Sequence, residues 1–151
     1  MQIIQNNPKH ASAVIIYFKE KILLVLRSNN KKIFYPNHYG LFGGAKEKNE
    51  TYLGAAKREL LEETGLKAKH YREIQRLQLS NSASDETAIL YVATNLEQFE
   101  SQPDETELLE IKKLPVTEAI QMVINGEITD VMSVAALLKV HILLQADKLA
   151  Y

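Results

Sequence analysis

One stretch constrains the rest of the chain. It reads Gly44, five residues, Glu50, seven residues, then Arg58-Glu59-Leu60-Leu61-Glu62-Glu63-Thr64-Gly65-Leu66, with a second glycine, Gly43, in front. The segment from Thr51 to Thr64 predicts a helix. Thr51 is an N-cap type, Ala55 and Ala56 favour helix, and Gly65 suits the left-handed residue that ends one. At about 100° per residue, Glu59 and Glu63 lie about 40° apart, with Glu62 about 60° from Glu59 on the other side. Three carboxylates thus share one face within a turn. Leu53, Ala56 and Leu60 face elsewhere and can anchor the helix in a core.

Such clustering is unfavourable in water. Like charges at these spacings repel by roughly 0.2–0.5 kcal/mol per pair. They also sit toward the helix C-terminus, where the dipole disfavours anions. A divalent cation removes both penalties, and Mg²⁺ commonly bridges carboxylates to a substrate phosphate. The plain alternative is a solvated acidic face with Arg58–Glu62 as a surface ion pair.

The full spacing decides between them. It resembles the Nudix box, G-x5-E-x7-R-E-U-x-E-E-x-G-U with U bulky and apolar, at every fixed position. The resemblance implies a loop–helix–loop that binds divalent metal, Mg²⁺ with Mn²⁺ as a substitute, and hydrolyses a nucleoside diphosphate linked to another group. It assigns Glu59, Glu62 and Glu63 as metal ligands, joined by a backbone carbonyl at Gly44 or Ala45. Arg58 and Glu50 resemble the pair that orients those carboxylates. Where many members have Pro-Gly-Gly, this chain has Phe42-Gly43-Gly44.

The whole chain fits a single domain over 1–151, long enough for a real core. Hydrophobic content of 46% and charge content of 25% are those of a globular protein. A net charge of −1 gives no reason to expect nucleic acid or a membrane surface as partner. Without cysteine, disulfides and thiol chemistry are excluded. Met1 to His10 lacks the apolar core of a signal peptide, and the apolar run Val131 to Leu144 is broken by Lys139 and His141. A cytoplasmic protein is expected.

Ala11 to Phe18 and Lys21 to Arg27 predict a hairpin turning at Lys19-Glu20. Arg27 then stands where it can reach a substrate phosphate, or is simply a surface arginine at a strand end. Ser28 to His38 reads as a loop flanked by Tyr35, Tyr39 and Phe42. One of these, Tyr39 by preference, is a candidate to stack on a nucleobase, the commoner use being packing. Further strands are predicted at Tyr71 to Leu79, Thr87 to Thr94 and Glu107 to Leu114. A helix follows from Pro115 to about Ile124, stopped by Asn125-Gly126. A last helix is capped at Thr129 or Asp130. Its periodic positions are Val131, Val134, Ala135, Leu138, His141, Ile142 and Gln145. This order suggests a mixed sheet between helical layers, in agreement with the α/β/α sandwich that the Nudix resemblance implies.

A second resemblance covers the C-terminal half. Ser84-Asp85-Glu86, Asp104-Glu105-Thr106-Glu107 and Gly126-Glu127-Ile128-Thr129-Asp130 are similar, in that order, to Nudix pyrophosphatases of the ADP-ribose and nucleotide-sugar branch. It implies Glu105 as the catalytic base, Glu107 as its neighbour, and Glu86 as a substrate or metal contact. Turn chemistry at Asp85-Glu86 and a solvated loop at Asp104 to Glu107 are the alternatives. A base outside the box is chemically reasonable, since the box carboxylates are committed as ligands.

Only about ten residues precede the first strand, where that branch carries an additional N-terminal segment. The approach Tyr39 to Gly44 also resembles smaller Nudix proteins acting on free nucleotides. The expectation is therefore a small-molecule nucleotide hydrolase specific for a nucleotide sugar or ADP-ribose. Nucleotide-pool sanitising and a non-catalytic nucleotide sensor are the alternatives. A homodimer is expected through a sheet edge or through Ala135, Leu138 and Ile142 of the last helix, unless that face is the core side.

Overall fold

The structure is a computed structural model that describes residues 10–32, 35–98 and 109–149. Its strands are β1 (His10–Phe18), β2 (Lys21–Leu26), β3 (Tyr39–Gly40), β4 (Phe42–Ala45), β5 (Leu66–Gln78), β6 (Thr87–Gln98) and β7 (Glu110–Pro115). Its helices are α1 (Tyr52–Thr64), α2 (Val116–Ile124) and α3 (Val131–Gln145).

β1 organises the sheet. Ala13, Ile15 and Tyr17 are buried on one face, and Val14 and Ile16 on the other. A strand buried on both faces reads as a continuous apolar run and takes the centre of a sheet. The first face meets Val116, Ala119 and Met122 of α2 and Ala136, Leu137 and Val140 of α3. The second meets Phe42 together with Ala56 and Leu60 of α1. Each buried side chain of this size contributes roughly 1.5–3 kcal/mol relative to exposure. The result is the α/β/α sandwich with a mixed sheet that the sequence predicts.

The sheet forks, and the fork makes room for a site. Along one edge β1 runs parallel to β6 from His10 to Ile16. Along the other it pairs antiparallel with β2 at Ile16–Phe18 and with β4 at Ala11–Val14. β2 pairs along its full length with β7, and at Val25 and Leu26 with β3. The short segment Tyr39–Ala45 therefore crosses the fork, leaving β2 as β3 and joining β1 as β4, with its bend at Leu41.

α1 forms as its ends dictate. Thr51 Oγ1 accepts the Gly54 N–H at 2.9 Å, and Gly65, at φ 70°, donates its N–H to the Leu61 carbonyl. α3 is capped by Asp130, and Asn125 ends α2. The β1–β2 turn lies at Lys19-Glu20, both with positive φ. β5 starts at Leu66, directly after α1, rather than at Tyr71, and β6 runs on to Gln98 rather than ending at Thr94. These added segments pair with each other, Leu66 opposite Gln98 and Ala68 opposite Leu96. Leu66–His70 alternates, with Leu66 and Ala68 partly buried against the α1 core and Lys67, Lys69 and His70 exposed, and the ladder with β6 completes the strand.

The last helix differs in orientation from one of the two readings. Its core face is Ser133, Ala136, Leu137, Val140 and Leu143. Leu138 and Ile142 point out and are 41% and 60% exposed. Ala135, the third residue of that predicted stripe, is partly buried and packs against the core, so the stripe is outward at Leu138 and Ile142 alone.

Candidate active site

β4 runs beside α1 because Gly43 and Gly44 allow it. A Cβ added at Gly43 would lie 2.2 Å from the Ser12 carbonyl oxygen and 2.7 Å from Ala13 Cα. Only a residue without a side chain lets β4 pair this closely with β1. At Gly44 the added Cβ would fall 2.5 Å from Glu59 Oε1. The Glu59 carboxylate thus lies directly over the Gly44 backbone.

Arg58 ties the loop to the helix. Its guanidinium makes a two-pronged pair with Glu50, Nε to Oε1 at 2.9 Å and Nη2 to Oε2 at 3.0 Å. Nη1 donates to Glu59 Oε1 at 2.8 Å and to Glu62 Oε2 at 3.3 Å, and Nη2 also reaches the Ala45 carbonyl at 3.1 Å. The planar fork suits such bidentate bonding. The Arg58 hydrogen bond holds the Glu50 carboxyl below its ordinary value, and Glu50 in turn raises the Arg58 pKa. Burial pushes the Glu59 carboxyl up, against the lowering effect of Arg58. Arg58–Glu62 is therefore one member of a network, not an isolated surface pair.

These residues fit a divalent cation by donor chemistry. Glu59 is a carboxylate whose burial disfavours its charge, held in a cradle that any side chain at position 44 would fill. The Ala45 carbonyl gives one lone pair to Arg58 and keeps a second. Glu59, Glu63 and the carbonyls of Gly44 and Ala45 present hard oxygen donors of the kind Mg²⁺ prefers. Among the described residues, no three acidic or histidine side chains converge as a ready metal cage. Arg58 stands between Glu59 and Glu62, and the Glu62 side chain is 54% exposed.

A cavity of about 400 Å³ opens at the fork. Ala13, Val25 and Gly43 line it from three strands, Glu63 from α1, and Thr129 to Met132 from the start of α3. Arg27 and Tyr39, both singled out from sequence, stand in its wall with Tyr35 and His38. Tyr39 also packs against the α2–α3 core, so packing and cavity lining are both its roles. Phe42 is fully buried in the α1 core and takes no part in the cavity. The volume is within the ~300–1,000 Å³ typical of small-molecule sites.

Glu86 does not line this cavity. Its carbonyl accepts the Leu79 N–H at 3.0 Å and its N–H lies 3.4 Å from Ser84 Oγ, closing the β5–β6 turn. Thr87 beside it pairs with His10, whose carbonyl accepts the Lys46 N–H, so Glu86 stands at the sheet end where β4 leaves. Glu105 and Glu107 lie outside the described residues. Sequence reading missed His38 and Met132 as cavity residues, and took Thr129 and Asp130 as cap candidates within a branch motif, with no cavity role. The Gly126–Asp130 motif was the available signal for the α3 end.

The NUDIX domain family model matches residues 7–132, and the chain belongs to the Nudix family. A curated relative, an ADP-ribose pyrophosphatase of Mycobacterium tuberculosis, is 34% identical over 89 residues. The match covers 57% of this chain and 42% of that protein, so the chain aligns with less than half of the relative's length. Among solved structures, an ADP compounds hydrolase superposes with a TM-score of 0.80 at 21% identity, over 95% of this chain and 78% of that one. A MutT NUDIX hydrolase from Burkholderia pseudomallei gives 0.64 at 16% identity, over 90% and 98%. Both support the fold. No helix among the described residues is long and apolar enough to cross a membrane.

Arg58 gives a first expected result. Arg58→Lys should lower turnover roughly 10–100-fold, the usual cost of losing a group that orients metal ligands. Lysine keeps the charge but cannot span Glu50, Glu59 and Ala45 together. Steady-state rates of the variant with saturating Mg²⁺ check this, and a lysine enzyme as fast as wild type would reduce the role to simple charge.

Proposed function

We propose that the chain is a divalent-metal-dependent pyrophosphohydrolase for a nucleoside diphosphate linked to a further group, a nucleotide sugar or ADP-ribose. The observation that carries this is the fork cavity, which brings Glu63, Arg27 and Tyr39 into one wall beside the Arg58–Glu59 cluster. The kinship with an ADP-ribose pyrophosphatase supports the substrate class.

Glu59 and Glu63 would hold the metal, with Glu62 and the carbonyls of Gly44 and Ala45 as further donors. Bound there, Mg²⁺, or Mn²⁺ in its place, would neutralise charge on the diphosphate and make water more acidic. Arg58 keeps Glu59 aimed over Gly44 while charge builds. Arg27 donates hydrogen bonds to a phosphate oxygen. Tyr39 offers a flat face to the base. Glu105, with Glu107 beside it, takes a proton from the attacking water, whose oxygen bonds to one phosphorus as the bridging P–O bond breaks. The products are a nucleoside monophosphate and a phosphorylated second fragment. Glu86 is a candidate contact from the sheet end.

A product screen over ADP-ribose, GDP-mannose, dinucleoside polyphosphates and 8-oxo-dGTP tests the class. Preference for 8-oxo-dGTP would favour nucleotide sanitising, and no turnover at all would favour a sensor. Glu105→Gln should cut turnover roughly 10²–10⁴-fold with little change in binding, as loss of a general base does. A variant with wild-type rate would move the base elsewhere. Assembly as a cytoplasmic homodimer through the outward stripe of α3 belongs to the same proposal. Light scattering at the mass of one chain would remove it.

A further inference from the structure

The bend at Leu41 is held from the far end of the chain. Ser133, fully buried in the first turn of α3, accepts the Leu41 N–H on its Oγ at 3.1 Å. The same hydroxyl donates to Asp130 Oδ2 at 2.6 Å, and that oxygen also accepts the Ser133 N–H at 2.9 Å. A serine hydroxyl has one proton to give. With that proton committed to Asp130, the oxygen is fixed as an acceptor toward Leu41. Ordinary capping needs only the Asp130 to Ser133 N–H bond. The bond to Leu41, between residues 92 apart in sequence, is additional.

Its position gives it a use. Leu41 is where the crossing segment passes from β2 to β1, between the ladders of β3 and β4. On one side lie Tyr39 and Gly40, on the other Gly43, and all line the cavity. A second part of the wall is Thr129 to Met132, at the start of the helix that Asp130 caps. A Cβ built on Gly40 would sit 4.0 Å from Ser133 Oγ, so the hydroxyl packs against the strand as well as bonding to it. The metal-ligating end of the site, around Gly44, Glu59 and Arg58, does not touch this link.

The geometry points to Ser133 as a positioning residue that sets the separation of these two parts of the cavity wall, and so the fit of the nucleotide portion of the substrate rather than the chemistry at phosphorus. This rests on the cavity being the substrate site. Ser133→Ala leaves the Leu41 N–H without its acceptor. KM for ADP-ribose, or for whichever panel compound the wild type prefers, should rise roughly 5- to 100-fold as the shifted walls lose about 1–3 kcal/mol of binding. Turnover at saturation should stay within a few-fold, and Ser133→Thr, which restores the hydroxyl, should recover KM. Amide hydrogen exchange at Leu41 should quicken in Ser133→Ala. If the alanine protein does not fold, Ser133→Cys keeps the size with a poor acceptor and should give the same split. An active wild type whose KM is unchanged by either substitution overturns the inference and leaves the functional reading standing. So does a fall in turnover with KM unmoved. A folded wild type that cleaves nothing in the panel overturns the functional reading, and this inference with it.

Discussion

Glu59→Gln and Glu63→Gln are each expected to lower turnover roughly 10²–10³-fold, the size of losing one group that stabilises transition-state charge, while the protein stays folded. Glutamine keeps the shape and removes the anion. Burial raises the Glu59 carboxyl pKa, so the folded state disfavours the charge, and a neutral amide relieves that penalty. Arg58 keeps its two-pronged pair with Glu50 and its bond to Ala45 in that variant. A change in Tm beyond about 4 °C, or roughly 1 kcal/mol in a domain of this size, is therefore not expected. Glu63 is one of the residues that line the cavity, together with Arg27 and Tyr39. Kinetics with saturating Mg²⁺ beside a thermal melt separate lost chemistry from lost folding. Wild-type turnover in either variant would remove that residue from the metal-binding set.

The two adjacent glycines should separate even more sharply. Gly43→Ala places a Cβ against backbone atoms of β1, at 2.2 Å from the Ser12 carbonyl oxygen. Backbone in a central sheet cannot step aside cheaply. Overpacking of this kind costs ~1–3 kcal/mol and occasionally more, and the upper end is expected, read as a lower urea midpoint. In Gly44→Ala the nearest atoms to the new Cβ all belong to the Glu59 carboxylate, with Oε1 at 2.5 Å and the carboxyl carbon at 2.7 Å. A side chain can swing away, so stability should change little. The swing takes Glu59 off Gly44, however, and activity should fall roughly as far as in Glu59→Gln. Loss of stability in Gly44→Ala with activity per folded molecule intact would reverse this assignment.

The legible parts of the fold were those set by local chemistry. Thr51 and Gly65 bracket α1 through bonds within one turn, and Asp130 caps α3 the same way. The box spacing placed Arg58 against Glu50 and Glu59 because a single helix turn and one loop bring them together. What stayed hidden depends on distant pairing. Leu66–His70 is a strand because it pairs with the end of β6 and sets Leu66 and Ala68 against the α1 core. The bend at Leu41 and the wall at Thr129 to Met132 meet only after the sheet forks and α3 packs back across it. The outward stripe of α3 was visible as a period, but an almost wholly apolar helix does not say which side is core. Arg27 could be read as a phosphate contact or as a strand-end arginine, and its place in the cavity wall depends on the crossing segment, which local sequence does not show. Glu105 and Glu107 rest on the branch resemblance.

If metal held by the box carboxylates drives cleavage of a nucleotide-linked diphosphate, ³¹P NMR of ADP-ribose incubated with wild type and with Glu63→Gln, in Mg²⁺ and then in excess chelator, tests it directly. AMP and ribose 5-phosphate are expected in equal amounts from the wild type in Mg²⁺. Product should be lost on chelation and recovered when Mg²⁺ is restored, with little product from Glu63→Gln. Turnover that survives the chelator, or a Glu63→Gln enzyme as fast as wild type, would contradict it.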